Sequence, residues 1–144
     1  MIAAVIARLV AEVPALGSRV QGAADLAVLM KRGGIPTITP AAYILPLGMM
    51  GGDEDAMTGS YRQDVDRQIS VALCLTSRDR AGAVALDEAD QLIDAITTAL
   101  CGWAPDDDMV GVFRLLRAIL ARFQDGVAIY ELQFAIKDQL RISA

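Results

Sequence analysis

The sequence predicts an α+β domain: a mostly antiparallel sheet of about four strands with helices packed on one face, ending in a C-terminal β-hairpin. Three observations predict it. Asp125-Gly126 separates two long β-type runs, VFRLLRAILARFQ and VAIYELQFAIKDQLRI. Asp-Gly favours a type I′ turn because both central positions need positive φ. Apolar residues recur at helical spacing from about Ala81 to Leu100, the longest such stretch in the chain. The elements also run helix, helix, strand, strand, helix, strand, strand, and that order does not alternate as a parallel α/β sheet requires.

Taken in order, Ile2, Val5, Ile6, Leu9, Val10 and Val13 form one helical stripe, with Arg8 and Glu12 on the other side and Pro14 as the stop. Arg19-Val20-Gln21 leaves room for a short strand. Ala23 to Met30 reads as a second helix with Leu26, Leu29 and Met30 inward, ended by Gly33-Gly34. Residues 35–40 carry two prolines and form a connector. Ala41 to Gly48 reads as a strand, but Pro46 cannot donate a ladder hydrogen bond, so the strand is an edge or is bulged. MMGGDEDAMTGS follows as a glycine-rich acidic loop, either mobile until a neighbour docks or tucked on the domain's own edge. Tyr61 to Thr76 is the next strand. Val65, Ile69, Val71, Leu73 and Leu75 occupy its odd positions, with Arg67 snorkelling near the exposed end. Its even face, Ser70, Ala72, Cys74 and Thr76, is small, so something must pack closely there. Ser77 or Asp79 caps the long helix, whose buried stripe is Leu86, Ala89, Ile93, Ile96 and Leu100. Gly102-Trp103-Ala104-Pro105 ends it, with Trp103 read as a lid on the last turn or, alternatively, an interface anchor.

A two-residue turn pairs Gln124 with Val127 and sets the hairpin register. One face then carries Leu115, Ile119, Ala121 and Phe123 opposite Ile136, Leu132, Tyr130 and Ala128, with Phe134 beside them. The second face mixes Leu116, Leu120 and Ile129 with Arg114, Arg122, Glu131 and Gln133. A half-apolar second face implies a second covering layer or a partner subunit. The candidate subunit or tube interface is therefore Leu116, Leu120, Arg122 and Ile129, together with Met49, Met50, Asp53, Glu54 and Asp55 from the acidic loop.

At 144 residues, 54% of them hydrophobic, the chain reads as one domain able to bury about 68–70% of its unfolded surface. A mean hydropathy of +0.41 is high for a soluble monomer, yet no run approaches the roughly 20 apolar residues of a membrane span. Net charge is −5, which argues against a protein that grips nucleic acid through phosphate neutralisation. The N-terminus lacks the basic segment of a signal peptide, and Cys74 and Cys101 have no metal spacing, so they read as reduced thiols. There is no histidine, no GxGxxG and no GxxxxGK[ST]. Ser–His and Cys–His catalysis and nucleotide fingerprints are thereby excluded. Neither Asp53-Glu54-Asp55 nor Asp106-Asp107-Asp108 has the alternation of a calcium loop. No catalytic, cofactor or metal residue is assigned.

The segments VQGAADLA (Val20 to Ala27), TPAAYILPLG (Thr39 to Gly48), YRQ (Tyr61 to Gln63), LIDAITTALCGWAP (Leu92 to Pro105) and YELQFAIKDQLRI (Tyr130 to Ile142) succeed one another in order. In that succession the chain resembles the tail terminator proteins of long-tailed phages and gene transfer agents. The resemblance covers nearly the whole chain, although no single piece is catalytic. It implies a virion structural protein, assembled in the host cytoplasm, that forms a homohexameric ring on the head-proximal end of the tail tube. Its implied partners are the major tail tube protein and a head-completion or connector protein, with DNA passing through the lumen without specific binding and no membrane involved. The alternative is another neck or tail-completion protein. From other classes, the competing readings are a small enzyme or ligand-binding domain and an unrelated dimeric scaffold.

Overall fold

The structure, a computed structural model, describes residues 1–31, 33, 38–76, 83–124 and 126–143. The residues expected to cap the long helix, Ser77 and Asp79, together with Ala81, Gly34, residues 35–37, Asp125 and the side chain of Leu86, lie outside that description. The chain order is α1 (Ile2–Glu12), a 3-10 turn (Pro14–Leu16), β1 (Val20–Gly22), α2 (Ala23–Lys31), β2 (Ala41–Met57), β3 (Ser60–Thr76), α3 (Ala83–Leu100), β4 (Arg114–Gln124) and β5 (Val127–Ser143). These strands form one five-stranded mixed sheet in the order β1-β2-β3-β5-β4. Among the described residues, only the three-residue pairing of β1 with β2 is parallel. The α+β class and the mostly antiparallel pairing agree with the sequence reading, with one strand more than expected.

β3 sets the faces. Its odd residues Ile69, Val71, Leu73 and Leu75 are fully buried beneath Val5 and Leu9 of α1 and Ala89, Leu92, Ile96 and Leu100 of α3. Leu132, Phe134 and Ile136 of β5 complete this core. The end of α3 is tied to α1. Arg8 Nε donates to the Ala99 carbonyl at 3.0 Å, one of the acceptors a helix C-terminus leaves unpaired. The same guanidinium lies 5.3 Å from the centre of the Trp103 ring, which stacks on Phe113 at 6.2 Å. Trp103 is thus a lid on its helix, as its position suggested.

Two expectations fail. Helices are not confined to one face: Leu26 and Leu29 of α2 pack on the opposite side, against Ala41, Tyr43 and Cys74. The small even residues of β3 make room for that helix, while Met30 is exposed. The acidic segment is also strand and not loop. β2 continues to Met57, and its partner pairing closes at Met57↔Ser60 around Thr58-Gly59. Two irregularities, one after Pro46 and one between Gly51 and Glu54, let glycines serve inside a strand. Gly48 sits at φ +123, and a Cβ on Gly52 would lie 3.2 Å from the Asp64 carbonyl oxygen. The bulge after Pro46, beyond the reach of β1, matches the expectation from that proline.

Replacing fully buried Leu132 with Asp should cost on the order of 4 kcal/mol or more, because a carboxylate enters an apolar core. A wild-type urea midpoint for Leu132→Asp would contradict this placement. Gly126 has φ +76, so Gly126→Val should lose about 1–2 kcal/mol by the same measurement. An unchanged midpoint would remove the turn from the account of stability.

Candidate functional site

Apart from Ile129, which lies on the interior strand β5, the predicted interface residues lie along the two opposite edges of the sheet. β4 is one edge. Leu115, Leu116, Ile119, Leu120 and Phe123 are each between 39% and 46% exposed, so neither of its faces is fully covered. The turn register is as predicted, with Gln124 opposite Val127 and Phe123 opposite Ala128. Further along, bulges at Ala121 and Leu116 shift it. Each extra residue reverses the alternation of faces beyond it. Leu120 therefore lies opposite Tyr130 on the α1/α3 side, and Ile119 lies opposite Glu131 on the far side, the reverse of the expectation for both. Leu115 keeps its face but meets Phe134 in place of Ile136. Arg122 shares the far side with Ile129, as predicted.

Ile129 does not belong to the open surface. It is half-buried against Ala41, Tyr43 and Cys74, within the cluster that α2 covers. Intramolecular packing is what its apolar side chain serves. Burial there pushes the Cys74 thiol up from 9.0 to about 11.

The opposite edge is the distal half of β2, which β1 leaves uncovered beyond Ile44. With the paired ends of β3 and β5 it forms a three-stranded arm extending past the helices. Met49, Met50 and Met57 are exposed on it, as are Asp53, Glu54 and Asp55. Polar contacts stitch the arm. Tyr61 Oη donates to Gln63 Oε1 at 2.8 Å, Gln63 Nε2 donates to the Gly52 carbonyl at 3.2 Å, and Arg141 Nε donates to Gln139 Oε1 at 2.8 Å. Two ion pairs that the sequence reading missed fix its base. Arg67, read as snorkelling, donates to Asp138 at 2.9 Å, and Arg114 reaches across β5 to Asp66 at 2.9 Å. Only the strand register could have paired them.

A groove of about 360 Å³ runs along the base of the arm, lined by Met50, Gly52, Asp53, Asp66, Lys137 and Asp138. Among the described residues, no three His, Cys, Asp or Glu side chains are grouped to hold a metal ion. What the fold offers is surface for association: an apolar edge, an acidic edge and a long arm.

Exposed edges of this kind suit a structural protein, and the family match is to one of phage tails. The chain belongs to the phage tail terminator family, whose model matches residues 2–144. It is a structural protein of the tail. Its fold is also similar to that of a chain in the "Virion of native gene transfer agent (GTA) particle", with TM-score 0.53 and 21% identity over 97% of this chain and 95% of that one. No curated protein sequence matches.

The Cys74 thiol gives a pH prediction. The folded chain keeps this proton where the unfolded chain, near 9.0, has lost it. Stability from this group is therefore intact below about pH 9 and falls as pH rises from 9 toward 11. Comparing urea midpoints at about pH 8 and about pH 10.5, Cys74→Ala should flatten the alkaline loss. An equal loss in both proteins would assign it to other groups, such as Tyr43, whose phenol burial also raises.

Proposed function

We propose that this protein caps the head-proximal end of the phage tail tube as a homohexameric ring, ends tube polymerisation and presents the surface for head–tail joining. The observation that carries the reading is the pair of uncovered sheet edges in a member of the tail terminator family. A sheet with two open edges can bind the next copy at each, and such a contact closes into a ring when its rotation closes. One ring surface would match the last layer of tube subunits, and the other would not, so growth stops there. The head-completion or connector protein would dock on that second surface. No catalytic step is needed. DNA would cross the lumen without specific binding, consistent with a net charge of −5.

Native mass spectrometry and negative-stain images of the purified protein should give six-membered rings, and added tail tubes should carry one ring at one end. Leu116 and Leu120 are 42% and 46% exposed, so Leu116→Glu/Leu120→Glu should keep monomer stability within about 1 kcal/mol while abolishing rings. Rings that persist in the double variant would remove β4 from the contact. Rings that ignore tube ends but bind portal rings would reassign the protein to another part of the neck.

A further inference from the structure

The ring reading leaves open how subunits join, and this inference rests on it. We propose that β4 of one subunit pairs antiparallel with the distal half of β2 in the next copy, making a head-to-tail joint of two unlike edges. β4 carries Arg114, Arg117 and Arg122 and no acid, whereas β2 carries Asp53, Glu54 and Asp55 and no base. Joining β4 to β4 would face arginines with arginines, and β2 to β2 would face acids with acids. Only the unlike edges attract, and they attract a second copy of this chain. Because β2–β3, β3–β5 and β5–β4 are all antiparallel, β4 runs opposite to β2. Two copies in the same orientation therefore meet antiparallel, without inverting either.

The register follows from what is already covered. At equal height Leu120 is level, through Tyr130 and Leu73, with Ala42, which β1 occupies. The neighbour must therefore be displaced along the strands so that its tip-ward half of β2 comes alongside β4. Counted on β3, a displacement of about six rungs aligns both edges. Ile119, level with Ala72, then meets Met50, which is level with Asp66. Leu120, level with Leu73, meets Met49, level with Arg67; Arg114, level with Gln68 and ion-paired within its own chain to Asp66, comes level with Asp55, itself level with Arg62, as a second carboxylate beside the same guanidinium. In all three pairs the two side chains lie on the same face of the sheet. The displacement is also compatible with closure. Six rungs are ~20 Å, and the four strands from β2 to β4 span ~19 Å, which corresponds to a strand tilt of about 45°, at the upper end of the range for closed barrels.

The test uses two variants of exposed residues, each with a wild-type far-UV circular dichroism spectrum as its entry condition. Arg117→Glu/Ile119→Glu blocks the β4 edge, and Met50→Glu/Asp55→Lys blocks the β2 edge; the like charges introduced at positions 119 and 50 would face each other, so the two blocked edges cannot pair. Each alone should be monomeric by light scattering. Their equimolar mixture should form one heterodimer and no ring, because each chain keeps one good edge. Rings from either variant alone, or dimers of the β4-blocked chain alone, would overturn the pairing. Should a variant misfold, Ile119→Cys/Met50→Cys in one chain gives a second measurement. Mild oxidation should link it into a covalent ladder up to the ring size, with no ladder from either single cysteine variant; absence of the ladder would also overturn the pairing. Wild-type rings with an unlinked double-cysteine chain would refute only the joint. A wild type that stays monomeric, even beside tail tubes, would refute the ring itself.

Discussion

Strand length against helix length is the constraint on which the structure depends. β2, β3 and β5 each have 17 residues. At about 3.4 Å per residue such strands run for some 55 Å, whereas α1 and α3, at 11 and 18 residues, span roughly 16 and 27 Å. Two helices of that size cover only part of such a sheet. The buried residues accordingly stop at Val65 on β3 and at Ile136 on β5. Everything beyond is a ribbon wet on both sides, held by its ladder, by the Arg67–Asp138 and Arg114–Asp66 pairs at its base, and by the polar contacts around Tyr61 and Gln63.

The same mismatch explains which parts of the fold were legible in the sequence. Where a helix covers a strand, burial imposes periodicity, so α1, α3 and the core half of β3 could be read almost residue by residue. The distal half of β2 buries nothing, so GMMGGDEDAM carries no alternation, and its glycines and acids look like a loop. Its strand character comes from the β3 ladder, which is a tertiary fact. The α2 error has a related cause. Leu26 and Leu29 mark an apolar side, but nothing in a nine-residue helix says which face of the sheet it lies on. The small side chains of Ala72 and Cys74 hold that information, but in the sequence they signal only that something packs closely there.

The candidate site was legible in kind and less so in detail. β4 and the Met49–Asp55 segment are indeed exposed, and the Asp-Gly turn did set the hairpin register near its tip. Two bulges then moved Leu120 and Ile119 to unexpected sides, and bulges leave no residue signature when Ala and Leu supply the extra positions. Ile129 was assigned to the surface because its face is mixed; the helix that covers it comes from a segment about a hundred residues earlier. No local pattern could have supplied that contact.

β4 joins two properties that usually exclude each other. Natural edge strands discourage indiscriminate pairing with charges and bulges, and β4 has three arginines and two bulges. Yet it also keeps Leu115, Leu116, Ile119, Leu120 and Phe123 accessible, a row that would be costly in a protein meant to stay solitary. The conflict resolves if the arginines act as a filter. They repel another β4 and the positively charged face of any similar edge, while an acidic strand at the right height brings its carboxylates to the end of β4 that carries Arg114 and Arg117 and lets the apolar side chains come together. An overall charge of −5 repels free copies at long range, so association must be won at short range by that one matched contact. Selectivity of this kind would let an assembly proceed to a fixed number of subunits and then present no free edge at all.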